Sequence, residues 1–217
     1  MFNSFVSCCL ASVAFAASGT FDYKQNGADW GSLDGNSLCD DGREQSPINL
    51  NDWYTEYSEE LNIHLKPNTH IDETTAIIEN KGDTIHVTTT QGEMELTFDS
   101  GSSSEFKLAQ FHVHAPSEHT VDSEHYDLEM HFVHTYMDGS LGAVIGVFFD
   151  QEEGGDGDNM FIDQLNAIWS GAGTVRTNQR VNVEGFLDSL DMSSFWSYDG
   201  SLTTPPCTEG IKWSVLK

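Results

Sequence analysis

The 217-residue sequence is poor in positive charge: nine Lys and Arg stand against 35 Asp and Glu, a formal net charge of −26. A surface of that sign repels polyanions, which excludes nucleic acid and anionic membranes as partners. It also stays soluble where salt screens its self-repulsion. Adaptation to a saline habitat is one reading of the surplus, and a merely acidic surface is the other. Flat stability and activity from low to molar NaCl would favour the second.

Long apolar runs are scarce too. The one apolar stretch, FVSCCLASVAFAA at residues 5–17, is too short to span a bilayer. Ala14-Phe15-Ala16 fits the small-x-small pattern of a signal peptidase site, with cleavage after Ala16 or Ala17. Residues 1–17 are therefore read as a secretory signal, although no Lys or Arg precedes Lys24. A buried N-terminal helix is the competing reading. No other segment is a transmembrane candidate, so residues 18–217 are expected to form one domain in a secreted, extracellular or periplasmic-type oxidising compartment.

Cysteine is also sparse, with four in the chain. Cys8 and Cys9 leave with the signal, and Cys39 and Cys207 remain as an even pair. They are either bridged, a long-loop disulfide worth roughly 2–4 kcal/mol, or two free buried thiols. The sequence shows no internal repeat, no EF-hand loop and no N-x-S/T acceptor.

What is present reads as a folded, strand-rich domain, with hydrophobic residues at 38% and aromatics at 11%. IIENKGDTIHVTTT, EMELTFDS, EFKLAQFHVHA, YDLEMHFVHTY and AVIGVFF are rich in β-branched and aromatic residues. DSGSSSE (99–105) and EEGGDGDN (152–159) are turn-rich loops. Apolar residues recur at helical spacing in FIDQLNAIW (161–169) and more weakly in VEGFLDSL (183–190). The expectation is a mainly β domain with a few short helices.

Six of the nine histidines fall between 112 and 134. Side chains alternate faces along a strand. In QFHVHAPSEHT (110–120), Gln110, His112 and His114 therefore share a face opposite Phe111 and Val113. In LEMHFVH (128–134), Glu129, His131 and Val133 share a face opposite Met130, Phe132 and His134. The 16 residues between His114 and His131 suit a hairpin-like return, so three imidazoles can converge. Three neutral histidines suit zinc with an open fourth position. Neutral ligands leave the full metal charge, which brings a bound water's pKa to about 7. Gln110 and Glu129 are placed to accept from the ligands' other ring nitrogens. Ordinary hydrogen-bonded strand histidines are the alternative, and His64, His70 and His125 are assigned to it.

Two families fit the H-x-H-x3-E spacing of His112, His114 and Glu118. In a cupin, Glu118 would be a metal ligand, but the flanking glycines and second histidine motif of cupins are missing. The other resemblance is far more extensive. QSPINL (45–50), QFHVHAPSEHT, LEMHFVH, AVIGVFF (143–149), YDGSLTTPPC (198–207) and WSVLK (213–217) occur in order. Together they resemble the α-class carbonic anhydrases, in the bacterial, algal and plant branch that has Ala-Pro after the second histidine.

The resemblance implies a single domain around a large, mostly antiparallel twisted sheet carrying a Zn2+ site. It implies reversible hydration of carbon dioxide to bicarbonate and a proton. His112, His114 and His131 match the zinc ligands, Gln110 and Glu129 their acceptors, and His119 and Tyr198 buried supports. Glu118 is then off the metal and accepts from the Thr203 hydroxyl. A carboxylate can only accept, so it forces Thr203 to donate on that side and accept on the other. Val133, Val144, Leu202, Thr204 and Trp213 match the substrate pocket. Cys39 and Cys207 match a disulfide that pins the loop bearing Thr203. Asp83 occupies the family's proton-shuttle position, and His86, three residues on, is the substitute. Tyr23 resembles a tyrosine near the water network, with local spacing one residue short. The family domain continues past WSVLK, so the resemblance implies a C-terminally short domain with an exposed apolar sheet edge. A non-catalytic carbonic-anhydrase-like binding or structural protein is the alternative reading.

Overall fold

Thirteen strands account for most of the regular backbone in the described residues of the computed structural model, which are 21–58, 61–66, 74–89, 95–99, 103–151, 159–165 and 171–217. The expected signal segment and His70 lie outside them. The strands are β1 (Asn49–Leu50), β2 (Ile63–Lys66), β3 (Thr74–Asn80), β4 (Ile85–Thr89), β5 (Glu95–Asp99), β6 (Ser103–His114) and β7 (Thr120–Val121). They continue with β8 (Glu124–His125), β9 (Leu128–Tyr136), β10 (Leu141–Phe149), β11 (Val175–Val181), β12 (Phe195–Ser201) and β13 (Glu209–Leu216). Three short α-helices interrupt them: α1 (Leu38–Asp41), α2 (Met160–Leu165) and α3 (Val183–Asp188). The helical spacing expected over 161–169 is met as far as Leu165, and 166–169 lie outside the described residues. At α3 the Asn182 side chain accepts from the Gly185 amide and caps the helix start.

Ten strands form one sheet, with β11-β3-β4-β6-β9-β10-β13-β12 as its main path and β5 and β2 branching from β6. The branch follows from the length of β6. Its first half pairs β5 and its second half pairs β4, while β9 runs along the other side. Within this sheet β10 and β13 are the parallel pair. Both sit between other strands, and β10 is buried on both faces from Gly142 to Val147, which explains why AVIGV reads as a continuous apolar run rather than an alternating one. The single strand-like run IIENKGDTIHVTTT is in fact a hairpin. Gly82 takes a positive φ of 98° between β3 and β4, and the Asn80 side chain accepts its amide.

Side-chain alternation splits the core in two. Phe106, Phe111, Met130, Phe132 and Ile145 pack on one face with α2 and α3 residues such as Phe161 and Leu187. Val133, Val144, Trp196, Trp213 and Val215 pack on the other. The second face carries the histidines. Burying the first face, with its stacked Phe161 and Phe186 rings 4.1 Å apart, fixes the strand register and thereby holds the histidine positions rigid.

Candidate metal centre

The β6–β9 register sets His112 directly opposite His131, and alternation along β6 brings His114 to the same face. The three rings lie 4.7–5.2 Å apart, centroid to centroid. One nitrogen from each lies within 4.8 Å of the others. Hydrogen bonding decides which nitrogens these are. Gln110 Oε1 accepts from His112 Nδ1 at 2.9 Å, which leaves Nε2 of His112. Glu129 Oε1 lies 2.9 Å from His131 Nε2, which leaves Nδ1 of His131. His114 Nε2 is buried without a hydrogen-bond partner. A buried polar atom in that state is costly, and a cation at the convergence point would satisfy it. All three residues therefore fit a metal that takes nitrogen ligands in tetrahedral geometry.

The electrostatics agree. Burial, then the neighbouring histidines, holds His112 well below the usual imidazole range. Burial and His131 push His114 down to about 3. Both rings are thus neutral lone-pair donors at physiological pH. At His131 burial opposes a charge, but the Glu129 carboxylate prevails and raises its basicity. A carboxylate behind a ligating imidazole strengthens the lone pair on the far nitrogen.

Glu129 is itself over-supplied with donors. It accepts from the amides of Glu118 and His119 at 2.9 and 2.8 Å and from His119 Nδ1 at 2.7 Å. Burial alone would raise its pKa, but His131 and these donors hold it well below the carboxylate range. His119, Glu129 and His131 also cluster closely enough to suggest a metal site. Their facing atoms, however, are already engaged with one another, so this group is the support of the first one. The chain of bonds continues from His119 Nε2 to Tyr198 Oη at 2.6 Å and from there to Ser46 Oγ at 2.8 Å. Ser46 and Ser201 then exchange two bonds, amide to hydroxyl in each direction, at 2.9 and 3.0 Å. Gly200 makes the approach possible, because a Cβ there would lie 2.3 Å from Ser46 Oγ. Replacing His119 or Glu129 by alanine is expected to weaken metal affinity about 10- to 100-fold, as read by competition with a chromophoric chelator.

Sequence reasoning gave Ser46 and Gly200 no role. Ser46 sits in the quoted QSPINL motif, yet its partners Tyr198 and Ser201 are some 150 positions away. No local signal could have found the contact.

Ser201 opens the loop that carries Thr203. Burial raises the pKa of Glu118, while the His131 charge and the Thr203 side chain oppose that rise without cancelling it. Glu118 Oε1 stands 3.4 Å from His114 Nδ1, but Glu118 is not among the residues whose ligand atoms converge. The loop is tied down from both sides. Leu202 N bonds Thr208 O, Gln45 Nε2 donates to Cys207 O, and Cys39 and Cys207 are joined by a disulfide. Of the two readings open for these cysteines, the bridged one holds. Changing both to serine is expected to lower stability by about 2–5 kcal/mol, measured as the shift in a urea unfolding midpoint at constant m-value.

Val133, Val144 and Trp213 are buried beside the histidines, with the Trp213 and His131 rings 4.8 Å apart and Trp213 Nε1 donating to Ser201 O. Leu202 and Thr204 are half-buried on the loop. His86 faces His112 across the β4–β6 pair, its ring nearly parallel at 6.2 Å. Burial first, and Lys81 second, pushes it down to about 4. His86 is thus near the site, but its basicity is poorly matched to proton transfer at neutral pH. Asp83 is exposed. Burial, and then the charges of Glu118 and Asp83, raise the Tyr23 phenol. His64 and His125 are exposed, and His125 Nδ1 donates to Ser117 O. Neither belongs to the centre.

The family profile of eukaryotic-type carbonic anhydrase matches residues 25–217. Among curated proteins, alpha carbonic anhydrase 6 of Arabidopsis thaliana is 35% identical over 91% of this chain and 73% of its own length. A carbonic anhydrase of Pectobacterium carotovorum is 36% identical over 95% of this chain and 82% of its own. Among solved structures, the alpha-carbonic anhydrase of Photobacterium profundum superposes with a TM-score of 0.76 at 32% identity, covering 91% of this chain and 84% of that one.

Proposed function

The chain belongs to the eukaryotic-type carbonic anhydrase family, and from that premise we propose that His112, His114 and His131 hold a zinc ion at its active site. The reaction is the reversible hydration of carbon dioxide to bicarbonate and a proton. The observation that carries the site assignment is the orphaned, buried Nε2 of His114 beside one nitrogen each of His112 and His131, whose other ring nitrogens face Gln110 and Glu129. Zinc bound there would supply Lewis acidity, making a water acidic enough to be a nucleophile near neutral pH.

The chain's own residues do the rest. Glu129 and Gln110 fix the orientation of the ligand rings and the nitrogens left to donate. Glu118, which can only accept, commits the Thr203 proton to itself. The Thr203 oxygen then has lone pairs free on its other side to accept a hydrogen bond from the reactant and set its direction. Val133, Val144, Leu202 and Trp213 offer carbon dioxide an apolar wall, which suits a small molecule without net dipole. Thr204 stands on the same loop. The Cys39–Cys207 bridge anchors that loop and is consistent with a secreted or otherwise oxidised location. Among the described residues no helix is long and apolar enough to cross a membrane.

A cupin-like reading, with Glu118 as ligand, is disfavoured by the ten-stranded sheet and by the position of Glu118 outside the converging set. Stopped-flow hydration assays on protein of known metal content test the proposal. One zinc per chain with activity proportional to zinc is the expected result. Stoichiometric zinc without hydration would favour the non-catalytic alternative.

Each turnover must also export a proton. His86 is held down at about 4 by burial, which does not match a neutral-pH transfer. Imidazole buffer is therefore expected to raise turnover on the order of tenfold over a non-protonating medium. A rate independent of buffer concentration would show another internal route.

A further inference from the structure

Taking the three-histidine zinc site as given, we propose that Gly146 is a positioning residue of that centre: its missing side chain is the space in which the Glu129 carboxylate stands behind His131. Strand propensity argues against a glycine at this point. β10 is an interior strand, paired with β9 on one side and β13 on the other, and it is buried from Gly142 to Val147. A glycine there packs no side chain and loses more conformational freedom on folding than any other residue. A left-handed backbone would require it, but the described glycines of positive φ do not include Gly146. Inside a strand, glycine otherwise marks a bulge or the close approach of another group. The β9–β10 irregularity falls at Leu141/Ala143, so Gly146 sits in regular ladder and close approach is what remains.

The register identifies the approaching group. Gly146 is paired with His131 on β9 and with Val215 on β13. Paired residues point to one face of the sheet, so a side chain at 146 would rise on the histidine face. A Cβ built there would lie 3.1 Å from Glu129 Oε1 and 3.3 and 3.4 Å from the two Val215 methyl carbons. At such distances the neighbour has to give way by a few tenths of an ångström. Glu129 has nowhere to go. Its Oε1 accepts from His119 Nδ1 at 2.7 Å and lies 2.9 Å from His131 Nε2. Its Oε2 accepts from the Glu118 and His119 amides at 2.9 and 2.8 Å. Both oxygens are thus pinned, and the carboxylate is fully buried, where a lost hydrogen bond is not replaced by water. On the other side Val215 is fully buried and, being β-branched, stiff.

The consequence reaches the metal through one ring. A ligating imidazole keeps its tautomer and its angle through the acceptor on its other nitrogen. Glu129 is that acceptor for His131. A methyl at 146 would push the carboxylate off its contacts and let the His131 ring turn. The ligand nitrogen of His131 would then leave its convergence with those of His112 and His114. Gly146 touches no reactant, so its effect is expected on metal affinity and on the Glu129 contacts rather than on a chemical step.

The test uses the full chain. Gly146→Ala is expected to bind zinc about tenfold more weakly than the wild type in competition with a chromophoric chelator. Cooperative urea unfolding of the metal-free variant at an unchanged m-value shows that it still folds. Glu129→Asp withdraws the carboxylate from position 146, so adding Gly146→Ala to that variant should weaken zinc binding by less than about twofold more. Val215→Ala opens the other side, and it should not restore what Gly146→Ala loses. A second readout needs no metal. The His119 Nδ1 proton, donated to Glu129, should shift in the NMR spectrum of metal-free Gly146→Ala and exchange faster with water. Wild-type zinc affinity in Gly146→Ala, a loss additive with that of Glu129→Asp, full rescue by Val215→Ala, or an unmoved His119 proton would each overturn the proposal. A wild-type chain that binds no zinc would instead defeat the ligand set, and the His119 proton would still decide the role of Gly146.

Discussion

Replacing His112 or His131 by alanine is expected to lower carbon dioxide hydration at least about a thousandfold, together with loss of bound zinc. The size follows from what a cation contributes. Lewis-acid stabilisation amounts to several kcal/mol, and each 1.36 kcal/mol is tenfold in rate. Two remaining imidazoles cannot complete a tetrahedral set. Removing either side chain also strands its partner, Gln110 behind His112 or Glu129 behind His131. The Glu129 case is the harsher, since that carboxylate is fully buried and His131 is the largest influence holding it ionised. His131→Ala should therefore cost stability as well as activity, whereas His112→Ala should chiefly cost activity. Chelation of the wild-type chain should reproduce the activity loss, with recovery on adding zinc. A variant that keeps normal activity with stoichiometric zinc would defeat the ligand set.

The second large effect belongs to Glu118 and Thr203. Glu118→Gln preserves shape but supplies an amide that can donate as well as accept, so Thr203 is no longer forced into one polarity. Thr203→Ala removes the relay outright. Each change is expected to reduce kcat about 100- to 1000-fold, the usual cost of removing one preorganised hydrogen-bonding group. Zinc content should stay near one per chain, because Glu118 lies outside the converging nitrogens. The double variant should be little worse than either single one, since both act through the same hydrogen bond. Additive losses would mean that the two side chains work independently. Loss of zinc in Glu118→Gln would return Glu118 to the metal's ligand set.

Much of this centre is legible along the chain because strand geometry is periodic. Alternation alone puts Gln110, His112 and His114 on one face and separates them from Phe111, and the same holds for Glu129 and His131 against Met130. The hydrophobic halves of those strands then bury as the pattern requires. Where sequence reading fell short, the cause was distance or environment. IIENKGDTIHVTTT has strand composition throughout, and only the glycine conformation at Gly82 divides it into a hairpin. His86 has the right chemistry for a proton carrier by residue type. Its burial against His112, invisible in sequence, lowers that basicity. Ser46 and Gly200 meet only because Gln45–Ser46 crosses the end of β12.

The sequence by itself determined the type of chemistry: three imidazoles at strand spacing, with acceptors two positions from His112 and His131, and an acidic surface that repels polyanions. Tertiary structure alone decided which nitrogens of His112 and His131 are left to donate, that Glu118 stays outside the converging set, and that His86 is buried against His112. The physical reason is that residue type and period are local, whereas hydrogen-bond saturation and burial depend on what the fold brings across the sheet.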